Sequence, residues 1–312
     1  MRFLLCCSLV MGCAVASPVR ADFLFVSNAG TGVVDEVGPN GTLSTFAKGF
    51  QGVESLTFYN NTIFFVVAST GPGQGTGSIS ELSSDGKITT FATGFNAPIG
   101  MAFDASGNLF VADQNSMTID KVTPGGTVST FASNSNLWGV SFLAFDSQGN
   151  LYASTGHGVD KITPNGTLSV FASKGLSTPT GLAFDANGDL FVANSGNGTI
   201  SEITSNGNVS LFASGFSNPQ GLAFDSNGNL FVANMGTNIR NGTISEVTPN
   251  GTVSTFVGSG LSFPRGVAVI PDIATPAPSN ATLLLMLGVC GLVGYAWRWR
   301  RRVESAAKWE GS

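Results

Sequence analysis

The chain has 312 residues, of which 41 are glycine, 24 are phenylalanine and only 11% are charged. A helical protein of this size carries more Glu, Lys and Arg, so short apolar runs punctuated by Gly, Asn, Asp and Pro point to an all-β protein. Between residues 22 and 274 there are 17 acidic side chains against seven basic ones, a net of −10, which repels phosphates and excludes nucleic-acid binding. The same stretch has no cysteine, so it offers no disulfide, thiolate metal site or cysteine nucleophile.

In chain order, residues 1–21 come first. They open with Met1-Arg2, run apolar from Phe3 to Val15 and end in Val19-Arg20-Ala21, the pattern of a secretory signal peptide. Val10-Met11-Gly12-Cys13 offers a second processing point that loosely resembles a lipoprotein site. The four cysteines lie at the ends, Cys6, Cys7 and Cys13 in the leader and Cys290 in the tail. A domain of about 250 residues between them buries enough apolar surface to fold without cross-links.

Residues 22–272 are repetitive. The clearest copy reads Pro219-Gln220-Gly221-Leu222-Ala223-Phe224-Asp225, then Gly228-Asn229-Leu230-Phe231-Val232-Ala233-Asn234. It continues through Thr243-Ile244-Ser245-Glu246-Val247-Thr248-Pro249-Asn250-Gly251-Thr252 to Val253-Ser254-Thr255-Phe256. The closing phenylalanine returns at Phe46, Phe91, Phe131, Phe171, Phe212 and Phe256, spacings of 45, 40, 40, 41 and 44 residues. A period of about 40–45 holding four short strands, a to d, is one propeller blade. Asn165-Gly166, Asn206-Gly207 and Asn250-Gly251 supply the positive φ angles of tight hairpins. The first copy lacks strand a and opens on strand b, Phe23-Leu24-Phe25-Val26, while the last copy leaves a surplus strand a, Gly266-Val267-Ala268-Val269. Pairing the two closes the ring without an open sheet edge. The expected architecture is an all-β, six-bladed propeller of four-stranded blades.

The Pro-x-Gly-Leu-Ala-Phe-Asp, Gly-Asn-Leu-Phe-Val-Ala and Ile-Ser-Glu-Ile-Thr-x-Asn-Gly segments resemble NHL-type repeats and the streptogramin lyase and gluconolactonase-like propellers. The resemblance covers about 250 residues and implies the fold. For function it implies either an enzyme or a binding scaffold, because such folds host both.

The tail is set apart. Residues 273–280 form a Pro-rich linker, and Ala281–Trp297 is nearly continuous apolar sequence, long enough as a helix to span roughly 25 Å. Arg298, Arg300, Arg301 and Arg302 follow, with Tyr295, Trp297 and Trp299 at interfacial positions. The expectation is a transmembrane helix and Arg cluster over 281–302 and a cytoplasmic tail over 303–312, which leaves the propeller outside. Pro276-Ala277-Pro278-Ser279 ahead of the helix and arginines resembles a PEP-CTERM sorting signal. That resemblance implies an exosortase-type enzyme as partner, inner-membrane anchoring with the propeller in the periplasm, and release to the cell surface or matrix after processing. Ala277 stands where that family usually has Glu.

Candidate site residues lie on the face carrying the d–a and b–c loops, where the central channel opens. The residue before the glycine of strand a lines this mouth: Glu54, Ile99, Ser141, Thr180, Gln220 and Arg265. The residue ending strand b forms a second ring: Asn28, Ser69, Asp113, Ser154, Asn194 and Asn234. Glu54 and Asp113 are the carboxylates of these rings and weak metal candidates, and Arg265 on the neighbouring blade is placed to pair with Glu54. His157, the single histidine, reads as a solvated loop residue with no carboxylate partner, or as a general base. Trp138 reads as buried under its loop, or as an exposed ring for a sugar. The Asp185-Ala186-Asn187-Gly188-Asp189 stretch reads as a hairpin, since Gly196 stands where a calcium loop needs Glu. Loops 70–76 and 235–241, the latter with Arg240, are enlarged and flank a groove floored by Arg265 and Glu54.

The sequence points to no catalytic residue and no cofactor, a divalent cation being the single candidate. The expected function is a monomeric, exported, non-enzymatic scaffold that binds exopolysaccharide or an envelope protein, anchored to the membrane by its C-terminal helix. The alternative is a metal-dependent lactonase-like hydrolase or lyase.

Overall fold

A computed structural model describes residues 23–50, 52–59, 63–68, 77–83, 87–238 and 240–270. The expected signal peptide, the linker, the expected tail helix with the proposed sorting residues Pro276, Pro278, Arg298, Arg300, Arg301 and Arg302, and loop 70–76 lie outside the described residues. Among the described residues no helix is long and apolar enough to cross a membrane. A 3-10 turn at Ser135–Leu137 is the helical element described.

The repeat folds into six four-stranded antiparallel sheets. Sheet 1 joins Pro264–Ile270 to Phe23–Asn28, Val33–Val37 and Leu43–Lys48. Sheet 2 holds Val53–Tyr59, Ile63–Ala68, Gly77–Ser83 and Ile88–Phe95, and sheet 3 holds Pro98–Phe103, Leu109–Asp113, Thr118–Val122 and Val128–Ser133. Sheet 4 is Leu143–Phe145, Leu151–Thr155, Gly158–Ile162 and Leu168–Ala172; sheet 5 is Pro179–Phe184, Leu190–Asn194, Thr199–Ile203 and Val209–Ser214. Sheet 6 is Pro219–Phe224, Leu230–Asn234, Gly242–Val247 and Val253–Leu261. Each first-named strand packs against the first-named strand of the next sheet, and the cycle returns from sheet 6 to sheet 1. Sheet 1 contains both ends of the described chain, in the register Leu24↔Val269, Phe25↔Ala268 and Val26↔Val267.

Burial explains the residue pattern of each strand. The b strand Leu109–Asp113 is buried throughout because sheets cover both faces, and Leu151–Thr155, Leu190–Asn194 and Leu230–Asn234 repeat this. The d strands lie at the rim and are largely exposed, as Val128–Ser133 is. Core clusters therefore sit between sheets, each drawing on two neighbours. The recurring aromatics form their centres. Phe110 meets Phe131 of its own sheet and Phe145 of the next edge-on, at 4.8 and 5.1 Å. Phe25, Tyr152 and Phe191 repeat the arrangement. Each pair adds about 0.5–1.5 kcal/mol beyond area burial, so the phenylalanine spacing records sheet-to-sheet contacts.

Close approach at the centre dictates the strand-a glycines. A Cβ on Gly181 would lie 2.0 Å from the carbonyl oxygen of Gln220, and one on Gly100 would lie 2.3 Å from that of Ser141. Backbone touches backbone there, which only glycine permits.

Candidate functional site

The b-strand ends turn inward under the loops. Asn194 Oδ1 accepts from the Ser177 backbone N–H at 3.0 Å, and its Nδ2 donates to Ser201 Oγ at 2.9 Å. Asn28 likewise accepts from the Ser262 N–H at 2.8 Å and donates to Asp35 Oδ2 at 3.0 Å. Asn234 donates to Ser245 Oγ at 2.9 Å. Ser154 accepts from the Phe142 N–H and pairs with Ser141 Oγ, each at 2.9 Å. Asp113 accepts from the Asn96 N–H on both oxygens at 2.8 Å and from Ser116 Oγ at 3.0 Å. All five side chains are at least 98% buried. At Asn28, Asp113, Ser154 and Asn194 the second ring expected to line the mouth instead clamps the d–a corners, because the strand ends beneath the loop it holds.

The equivalent positions of strand c form a third ring that the sequence does not single out: Asp35, Ser80, Asp120, Asp160, Ser201 and Ser245, all buried, of which Asp35, Ser201 and Ser245 are the partners just described. Its signal was the alternation of Ser with Asp ahead of Glu or Lys in each copy. Burial pushes the Asp113 carboxyl above its usual range, against the Asn96 and Ser116 hydrogen bonds. Asp120 is raised by burial as well, and the nearby Asp113 charge adds to it.

At the mouth, Arg265 Nη1 stands 2.6 Å from Glu54 Oε2, the pair reaching from sheet 1 to sheet 2. Burial raises the Glu54 carboxyl and the guanidinium opposes that shift. A partly exposed pair adds about 1 kcal/mol or less to stability, so its main effect is on the charge offered to a ligand. Gln220 and Thr180 do not face the opening as free groups. Gln220 is buried and donates to Asn218 Oδ1 at 2.8 Å, and Thr180 donates to the Pro219 carbonyl at 3.0 Å. Arg240 lines an open cavity of about 500 Å³ with Thr237, Asn238 and Phe263. Phe263 holds a φ of 53°, an unusual strain for a bulky side chain. Between the inner strands runs a cavity of about 460 Å³, lined by residues including Leu56, Phe58, Met101 and Phe224.

Sheet 4 corrects one expectation and decides between two others. His157 has a carboxylate partner: its Nε2 lies 3.2 Å from Asp160 Oδ1, while Nδ1 lies 3.2 Å from Thr155 Oγ1. Asp160 is fully buried, its Oδ2 has no hydrogen-bond partner, and burial raises its carboxyl against the pull of the imidazole. The sequence does not report the pairing because Asp160 belongs to strand c, across the turn from the loop that carries His157. Trp138 is 53% exposed and not buried under its loop.

A cation does not fit the described donors. Arg265 neutralises Glu54, Asp113 already accepts three hydrogen bonds, and no group of three His, Cys, Asp or Glu is gathered among the described residues. The Asp185–Asp189 segment is a turn, with Asp185 Oδ1 accepting from the Asn187 and Asp189 N–H groups at 2.9 Å and Oδ2 from Asn187 Nδ2 at 3.0 Å.

Four-stranded sheets packed in a cycle around a channel, with polar loops at its mouth, define an all-β propeller. The chain belongs to the virginiamycin B lyase family, whose model matches residues 61–280. A streptogramin B lyase structure is 18% identical over 79% of this chain and 83% of its own, with a TM-score of 0.59. A catalytically inactive histidine-to-alanine variant of virginiamycin B lyase from Staphylococcus aureus, bound to quinupristin, is 16% identical over 73% and 78%, with a TM-score of 0.56. A structure assigned to the gluconolactonases is 17% identical over 70% and 81%, also at 0.56. At these identities the solved structures establish the fold alone. No curated protein sequence matches the chain.

Proposed function

We propose that this member of the virginiamycin B lyase family is an exported, monomeric binding propeller. We read its six sheets as the blades of one closed ring, and its loop face as the surface that engages an envelope component, exopolysaccharide or protein. In this reading residues 281–302 anchor it in the membrane, and an exosortase-type enzyme acts at the Pro276–Pro278 segment. The supporting observation is the Arg265–Glu54 pair at 2.6 Å: the carboxylate best placed to hold a cation at the mouth is already neutralised, and a guanidinium faces the opening. Cross-linking of the full chain in envelope fractions, with wild type beside Arg265→Ala, tests it. Loss of the cross-linked species in the variant supports the reading, and an unchanged pattern overturns the mouth as the binding surface.

A second reading, a lyase or hydrolase, draws on the family and on the His157–Asp160 pair at 3.2 Å. The related lyase is inactive when a histidine is replaced by alanine, and this chain has one histidine. Turnover of quinupristin by the purified chain, abolished in His157→Ala, would establish it. A divalent ion that raises the melting temperature by about 5 °C or more would extend it to a metal-dependent enzyme.

A further inference from the structure

The exposed large apolar side chains are Phe23 at the start of its strand in sheet 1, Met117 in the b–c loop of sheet 3, Trp138, and a set on the d strands. Ile88, Val128, Val170, Leu211 and Val253 occupy d strands, where the repeat itself leaves the rim open. Trp138 sits in the loop entering sheet 4. It is more than half exposed, whereas its near neighbours Leu137 and Val140 are fully buried. Those two residues anchor the loop and fix where the indole stands.

The indole is fixed as well as exposed. Its six-membered ring lies over Gly156 so closely that a Cβ there would meet Cη2, Cζ3 and Cζ2 at 2.3, 2.4 and 2.5 Å. Gly156 N–H donates to the Trp138 carbonyl at 3.0 Å, and Gly139 takes a φ of 69° beside it. The turn bearing Gly156 is held in turn by His157, whose two nitrogens lie against Thr155 and the buried Asp160. One face of the ring therefore rests on backbone, which leaves the other to solvent. The residues that precede it in the loop are polar and exposed, Ser133, Asn134, Ser135 and Asn136, and His157, next to Gly156, is half-buried.

We propose that Trp138 is the stacking platform of a binding site for a neutral saccharide. A pyranose offers an apolar C–H face to an aromatic ring and a rim of hydroxyls to the amides and hydroxyls beside it, which matches a one-sided indole in a polar surround. A protein partner would call for further apolar surface around the tryptophan. The net charge of −10 over residues 22–274 opposes a polyanionic chain. His157 and Asp160 are positioning residues here, since they hold the turn that backs the ring. The site stands across the ring of sheets from Arg265 and Glu54, and the inference rests on the proposed reading only in taking the loop face as the ligand face.

Affinity electrophoresis of the full chain in detergent tests it, in native gels containing dextran, mannan or galactan, with alginate as the acidic arm. The expected result is retardation by at least one neutral polysaccharide, about tenfold weaker in Trp138→Ala and largely kept in Trp138→Phe. Gly156→Leu, which leaves the tryptophan present but displaces its ring, should lose retardation too. Coincident melting curves of wild type and Trp138→Ala keep a folding defect out of the comparison. Retardation lost in Arg265→Ala but unchanged in Trp138→Ala would overturn this site while leaving the mouth reading intact. Absence of retardation by every neutral polysaccharide, or retardation by alginate alone, would overturn it as well.

Discussion

Sheets 5 and 3 solve the same corner with different chemistry. In sheet 5, Asn194 accepts from a loop N–H and donates to Ser201, so both ends of its amide are used. In sheet 3 the same position is Asp113, which accepts on both oxygens and faces the carboxylate of Asp120. The corner needs an acceptor, and either residue supplies one. What the difference teaches is that the second, donating function is optional for folding and carries an electrostatic cost where it is missing.

Three changes break or sharpen that comparison. The largest effect is expected from Asn194→Ala, which strands the Ser177 N–H and opens a void, and should cost about 2–3 kcal/mol, read as a fall in denaturation midpoint. Asn234→Ala should cost less, because Asn234 Oδ1 has no partner to lose; equal losses would show that corner clamping is not what the amide supplies. Next, Asp113→Asn restores a donor toward Asp120, as Asn28 gives Asp35 at 3.0 Å. It should stabilise the protein by about 1–2 kcal/mol at neutral pH, seen as a higher melting temperature.

The smallest effect is a slope. Asp113, Asp120, Glu54 and Asp160 all have carboxyls raised in the folded state. The folded protein thus holds protons more tightly than the unfolded chain. Their contribution is fully present below the ordinary carboxylate value of about 4 and is lost as pH rises through the raised values. Melting temperature should therefore decline on the alkaline side of that window, and Asp113→Asn should flatten the decline. Parallel wild-type and variant profiles would mean that the sheet 3 pair does not contribute.

The fold was legible because its signals are local and repeated. The Phe46-to-Phe256 spacing, the Asn-Gly turns and the missing first strand a each correspond to a described strand, turn or pairing. The Glu54–Arg265 pair was legible for the same reason, since repeat alignment put both residues at one position of adjacent units. The second ring was misplaced because alternation along strand b gives the face of a side chain but not the depth at which the strand ends. Asn194 has the sequence of a mouth residue and the surroundings of a core one. The two readings of Trp138 stayed open in the sequence because its exposure depends on Gly156, a residue 18 positions later whose lack of a side chain lets the ring lie flat. No period in the sequence reports such a contact.

The pairing of Phe23 with Ile270 in sheet 1 has a mechanical side. Both residues lie at the end of their strands away from Asn28 and Pro264, hence on the side of the molecule opposite the loop face. A load carried by the chain beyond Ile270 meets the sheet at this outermost pair and acts on the ladder one rung at a time, like a zip opened from its end. The strand that completes the ring is thus also the one through which tension enters. Anything held by that lead would be hung with Trp138, Arg265 and Glu54 turned away from the point of suspension.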